Sequence, residues 1–141
     1  MGSPIGHFEI LGTDAGRLRD FYTDIFGWAV KHPPEEGDPL DYTMISTGPD
    51  DGTLEGGIGR NPEGRGALTF YVHVENLEAT LAQVEGAGGT TLRERLQVGP
   101  NVSIARMYAV VMSMPIVATA VPKMPPTPAL LGSFANACEP R

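Results

Sequence analysis

Apolar and polar residues alternate along "PIGHFEIL" (Pro4 to Leu11), a period of two that predicts a strand. Alternation puts Phe8 and Ile10 on one face and His7, Glu9 and Leu11 on the other. Thr13 and Asp14 follow, each with a side-chain oxygen suited to cap a helix. The period then lengthens. Leu18, Phe21, Tyr22, Ile25 and Phe26 fall at the spacing of a helix with one buried apolar stripe, and Gly27 stops it. "WAVKH" and "DYTMISTG" read as strands, with "PPEEGDP" as a loop between them and "PDDGT" as a turn. "EGGIGRN" reads as a glycine-rich strand that can bend sharply or admit a ligand close to the backbone.

The order then recurs. "ALTFYVHVEN" (Ala67 to Asn76) predicts a strand, and Asn76 can cap a helix carrying Leu77, Leu81 and Val84. "GAGG" ends that helix through a glycine cap. "TTLRERLQV" and "VSIARMYAV" predict further strands, and "IVATAV" (Ile116 to Val121) can supply a closing one. Setting His7 against Thr69 lays "HFEI" over "TFYV", each followed by a capped helix. This is a tandem repeat of two β-α-β-β-β units, an α+β fold. In the second unit Phe70, Val72 and Val74 share one face, and Thr69, Tyr71 and His73 share the other. The apolar faces are expected under the helices. The polar faces, with His7, Glu9, Tyr71 and His73, are expected to look onto a concave sheet surface.

Composition narrows the class. The chain has 141 residues, 41% of them hydrophobic and 19% charged, the profile of one soluble globular domain. A net charge of −7, with no cluster of Lys and Arg, argues against nucleic acid as a partner. The one cysteine, Cys138, permits no internal disulfide and suits a cytoplasmic location. No signal peptide is read at the N-terminus. The most apolar stretch, Met107 to Val121, is too short and too interrupted by proline for a membrane span, so no membrane partner is expected. The domain is expected over 1–122, with modules at about 4–61 and 67–121 and a Pro-rich tail over 123–141.

With these elements in place, "GHFEI", "RLRDFYTDIFGW", "GGIG", "TFYVHVENLEATLAQVEGAGG" and "VSIAR" together resemble the vicinal oxygen chelate superfamily. It includes glyoxalase I, bleomycin-resistance proteins and extradiol dioxygenases. The resemblance covers roughly Pro4 to Arg106. It implies paired βαβββ modules whose curved mixed sheet encloses a cleft, helices on the outer face, and a homodimer. It also implies that, where a divalent metal (Ni, Co, Mn, Fe or Zn) is used, His and Glu from symmetric strands hold it. His7 falls at the first such position, and Glu55 lies close to that of the fourth strand. Thr69 stands where the second module's histidine would be. The usual final glutamate has no counterpart, because no acidic residue occurs between Arg106 and Lys123.

Three function classes stay open on these residues. One is a small-molecule binder without a complete metal site, its cleft lined by Glu9, Tyr71, His73 and Trp28. The second is a metal-dependent lyase, isomerase or dioxygenase using His7, with Glu55 and Glu9 as partners. The third is an inactive member of the family. For single residues the ordinary alternatives are a strand histidine at His7, core or interface packing at Trp28 with Phe21, Tyr22 and Phe26, and sheet curvature at Gly56, Gly57 and Gly59.

Overall fold

The computed structural model describes residues 2–49, 53–109 and 115–120. The Pro-rich tail and Cys138 lie outside the described residues. Among those described, the order is β1 (Ile5–Gly12), α1 (Ala15–Phe26), β2 (Ala29–His32), β3 (Thr43–Ser46), β4 (Glu55–Arg60), β5 (Ala67–His73), α2 (Leu77–Gly86), β6 (Thr90–Gly99), β7 (Val102–Tyr108) and β8 (Pro115–Ala120). This is the expected α+β arrangement of two βαβββ modules in tandem. The described residues form two compact units, one within 7–68, the other uniting 2–6 with those from Thr69 to Ala120.

Helix boundaries follow from their caps. The Asp14 carboxylate accepts from the backbone N–H of Arg17 at 3.0 Å and starts α1. Gly27 ends it in the left-handed region at φ 68, where its N–H donates to the Thr23 carbonyl. Asn76 does for α2 what Asp14 does for α1, accepting from Ala79 at 2.9 Å. The glycine cap of α2 is Gly88, at φ 91, one residue past the Ala87 cap.

In the first unit the strand order is β2-β3-β4-β1, with β4 parallel to β1 and the other pairs antiparallel. In the second it is β6-β7-β8-β5, with β8 parallel to β5. Each module is therefore a mixed four-stranded sheet of the same topology. The helix-side core of the first contains Phe8, Ile45 and Ile58, with Ile10, Leu18, Tyr22 and Trp28 against them. That of the second contains Leu77, Leu81, Ala105, Met107 and Ala118. Among the described residues no helix is long and apolar enough to cross a membrane.

The stripe on α1 needs correction. Only Ala15 of this helix is fully buried. Leu18 and Tyr22 reach the core, whereas Phe21, Ile25 and Phe26 stay more than half exposed. Spacing predicted one face for all of them. Only the inner edge of the stripe meets the cluster of Phe8, Ile45 and Ile58, and the outer edge is left uncovered.

Candidate functional site

The site is built on the face of the first module that looks away from α1. Phe8 pairs with Gly56, and Glu9 with Gly57, in the parallel register of β1 and β4. Alternation along both strands then puts Glu55, Gly57 and Gly59 on the face of His7, Glu9 and Leu11. The glycines are sites of close packing. A Cβ on Gly56 would run into the ring of Phe8 on the helix side. A Cβ on Gly57 would run into the ring and hydroxyl of Tyr42 on the opposite side. Gly59 continues the bed, with Tyr42 Cδ2 2.8 Å from where its Cβ would be. Tyr42 thus lies over two glycines of β4, at a place where any side chain would displace it.

The turn before β3 delivers Tyr42 to that bed. The Asp38 carboxylate accepts from the backbone N–H of Leu40 at 2.9 Å and of Tyr42 at 2.8 Å. Asp41 takes φ 46, the left-handed region that Asp tolerates better than most residues. The Leu40 carbonyl accepts from the Arg60 N–H at 2.6 Å and ties the turn to the end of β4. Replacing Asp38 by Ala removes both carboxylate bonds. A urea midpoint lowered at unchanged m-value, equivalent to about 1–3 kcal/mol, is expected.

The hydroxyl of Tyr42 joins the two polar side chains of β1. It donates to Glu9 Oε2 at 3.1 Å and lies 2.9 Å from His7 Nε2. All three residues are buried: Glu9 is 0% exposed, and His7 and Tyr42 are each 6% exposed. A phenol has one proton. With that proton on the bond to a Glu9 carboxylate, the bond from His7 requires a hydrogen on Nε2. The chain of donors therefore runs from His7 through Tyr42 to Glu9.

Trp28 is on the α1 side, its ring 4.9 Å from that of Tyr22 and 5.6 Å from that of Phe8. That is the opposite face from His7 and Glu9. Tyr71 is fully buried on β5, where it pairs with Val117 of β8. His73 lies over Gly6, whose Cβ would meet its ring, and lines a groove of about 1070 Å³ with Pro4, Asn76, Arg95, Gln97 and Ser103. In this groove Arg95 donates to Ser103 Oγ at 3.1 Å and to the Glu78 carboxylate at 3.3 Å. Glu78 is held below the ordinary carboxylate range by a backbone hydrogen bond first and by Arg95 second.

Desolvation lowers the pKa of His73 below 6.5. The unfolded chain then takes up a proton before the folded one does. This linkage leaves stability untouched above pH 6.5 and removes it progressively as pH falls below 6.5. A His73→Gln chain should lose less thermal stability than the parent between pH 7 and pH 5, read by melting curves at both.

A divalent ion was the cofactor implied for His7 and Glu55. Among the described residues, no three His, Cys, Asp or Glu side chains come together as a set that could hold one. In addition, His7 Nε2 and Glu9 Oε2 both face the Tyr42 hydroxyl. This donor set does not fit an ion held by three protein ligands.

Sequence reading did not single out Tyr42 or Asp38. A signal was available in "EGGIG": Gly57 and Gly59 alternate onto the polar face, and glycines there leave space for a large side chain from elsewhere. Tyr42 lies in the stretch read as the strand "DYTMISTG", two residues before Met44, the partner of Gly57, but that it fills this space depends on the path of the 38–42 turn.

Two tandem βαβββ modules, each with its helix on one face and its polar residues on the other, define the vicinal oxygen chelate fold. Comparison with known proteins agrees. The model of the family described as Glyoxalase-like domain matches residues 9–121, and the chain belongs to that family. A glyoxylase-like domain-containing protein of Didymella fabae is 32% identical over 100 residues, 70% of this chain and 78% of that protein. Among solved structures, methylmalonyl-CoA epimerase from Mycobacterium tuberculosis superposes with a TM-score of 0.60 at 12% identity, covering 84% of this chain and 87% of that one. A hypothetical protein from Bacillus halodurans superposes at 0.66 with 9% identity, covering 90% and 100%. At such identities the structural likeness shows the fold.

Proposed function

We propose that the chain binds a small organic molecule on the polar face of its first module, through His7, Tyr42 and Glu9, without a resident metal. The observation that carries this reading is the carboxylate of Glu9, fully buried and hydrogen-bonded to a buried phenol that in turn meets a buried imidazole. Burying a carboxylate is a poor way to stabilise a fold, because an apolar side chain of similar volume does as well or better. A buried, hydrogen-bonded acid beside a histidine is a frequent feature of sites that bind or move protons.

One fold neighbour is methylmalonyl-CoA epimerase, solved in complex with methylmalonyl-CoA and NH4+. A carboxylate, a phenol and an imidazole in series suit a ligand with a cationic or hydrogen-donating group, or one with a carbonyl. The acidic balance of the chain favours cationic and aromatic molecules over anionic ones.

Thermal unfolding of chelator-stripped protein tests this. A panel of aromatic amines, other small cations and acyl-CoA esters is screened against the parent, His7→Ala and Glu9→Gln. A ligand that binds the folded state raises the melting temperature by mass action. The expected result is a rise with one ligand class, without added metal, that is lost in Glu9→Gln. A rise with Ni, Co, Mn, Fe(II) or Zn alone, lost in His7→Ala, would establish the metal-dependent reading in its place.

A further inference from the structure

We infer that the Tyr42 hydroxyl stands where a cation would otherwise join His7 to Glu9, and that Tyr42 is the positioning residue that keeps this pair in hydrogen-bonding, metal-free form. The inference deepens the reading above and rests on it for the site's location.

The geometry supplies the first argument. One oxygen lies within hydrogen-bond distance of both His7 Nε2 and Glu9 Oε2, at 2.9 and 3.1 Å. These are the two atoms an ion lying between His7 and Glu9 would need. A zinc ion holds imidazole nitrogen and carboxylate oxygen at about 2.0–2.2 Å, so an ion and the hydroxyl cannot share the space. The proton count supplies the second. Tyr42 donates to Glu9, so the bond from His7 comes from an Nε2 that carries a hydrogen, and a protonated Nε2 has no lone pair to give a metal.

The third argument is that the hydroxyl is built into place. Its ring lies over Gly57 and Gly59, and the backbone N–H of Tyr42 is held by Asp38. Packing on one side and a clamp on the other fix the phenol at this point. Glu55 stands next to this pair, on the same face of β4 and one residue before the paired Gly56. Removing Tyr42 would therefore take away the group that lies between His7 Nε2 and Glu9 Oε2.

The test reads the histidine directly. The full chain is labelled with nitrogen-15, and its imidazole nitrogens are followed by long-range proton–nitrogen correlation. His7 is assigned by its loss in His7→Gln. The parent is expected to show His7 as the Nε2–H form, unmoved by an excess of Zn²⁺ or Ni²⁺. Tyr42→Phe keeps the ring on the glycines, and there the His7 nitrogens should shift toward a mixture of tautomers. In Tyr42→Ala the same ions should move the His7 signals and raise the melting temperature, and adding His7→Gln should abolish both effects. Should Tyr42→Ala not fold, the parent and Tyr42→Phe decide the matter. The inference is overturned if the parent's Nε2 loses its hydrogen to an added ion, if Tyr42→Phe leaves the His7 tautomer unchanged, or if a folded Tyr42→Ala ignores the ions as the parent does. None of these outcomes depends on finding the organic ligand, so failure here is distinct from failure of the binding reading.

Discussion

A Gly57→Ala chain is expected to lose on the order of 3 kcal/mol of stability and the ligand response of the parent. The added methyl group falls inside the ring and hydroxyl of Tyr42. Overpacking of this kind costs about 1–3 kcal/mol, and losing hydrogen bonds to charged groups adds about 1.5–3 kcal/mol, less whatever relaxation recovers. A denaturant midpoint measures it. Gly86→Ala is the control, at the last residue of α2 where nothing lies within 4 Å of the new Cβ. It should be neutral or slightly stabilising, since Ala is the better helix former. A double-mutant cycle makes the assignment specific. With Tyr42→Ala already present, Gly57→Ala has no ring to strike and should cost much less. Additive costs would mean that Gly57 is needed for its backbone and not for the phenol.

Phe8→Ala should be the most destabilising single truncation in the first unit, at about 3–5 kcal/mol. The Phe8 ring fills the space over Gly56 and is the largest side chain of the cluster with Ile45 and Ile58. Gly56 has no side chain that could move into the cavity, so collapse is limited and the cost falls toward the upper end of that range. The lone tryptophan, Trp28, reports on the event, with its ring 5.6 Å from that of Phe8. Its emission should shift to longer wavelength in a Phe8→Ala chain that still folds. Unchanged emission together with a small loss of stability would mean that Phe8 does not fill this core.

Much of the fold was legible along the chain. The alternation of β1 and the caps at Asp14 and Asn76 are local signals, carried by residues within a few positions of one another. The tandem repeat was legible for the same reason, since each module restates one pattern. The α1 stripe was read as one buried face and is buried only along its inner half, because period reports a common face and not which part of it meets other residues. Trp28 was open to two readings because its position just past Gly27 does not say which face the ring takes. The site was only half legible. His7 and Glu9 were named from β1, where alternation places them together. Tyr42, which joins them, comes from a turn whose path depends on Asp38 and on the end of β4.

By itself, the sequence determined the order of elements, their caps, the two-module class and the polar face that carries His7 and Glu9. Those properties depend on periodicity and on neighbours in the chain, which a linear string contains. The tertiary structure alone decided that Gly57 and Gly59 form a bed for a phenol, that Tyr42 fills it, and that its hydroxyl joins an imidazole to a carboxylate. Those facts arise where β1, β4 and the 38–42 turn meet. Packing between segments distant in sequence is set by volume and hydrogen-bond direction in space, and no spacing along the chain records either.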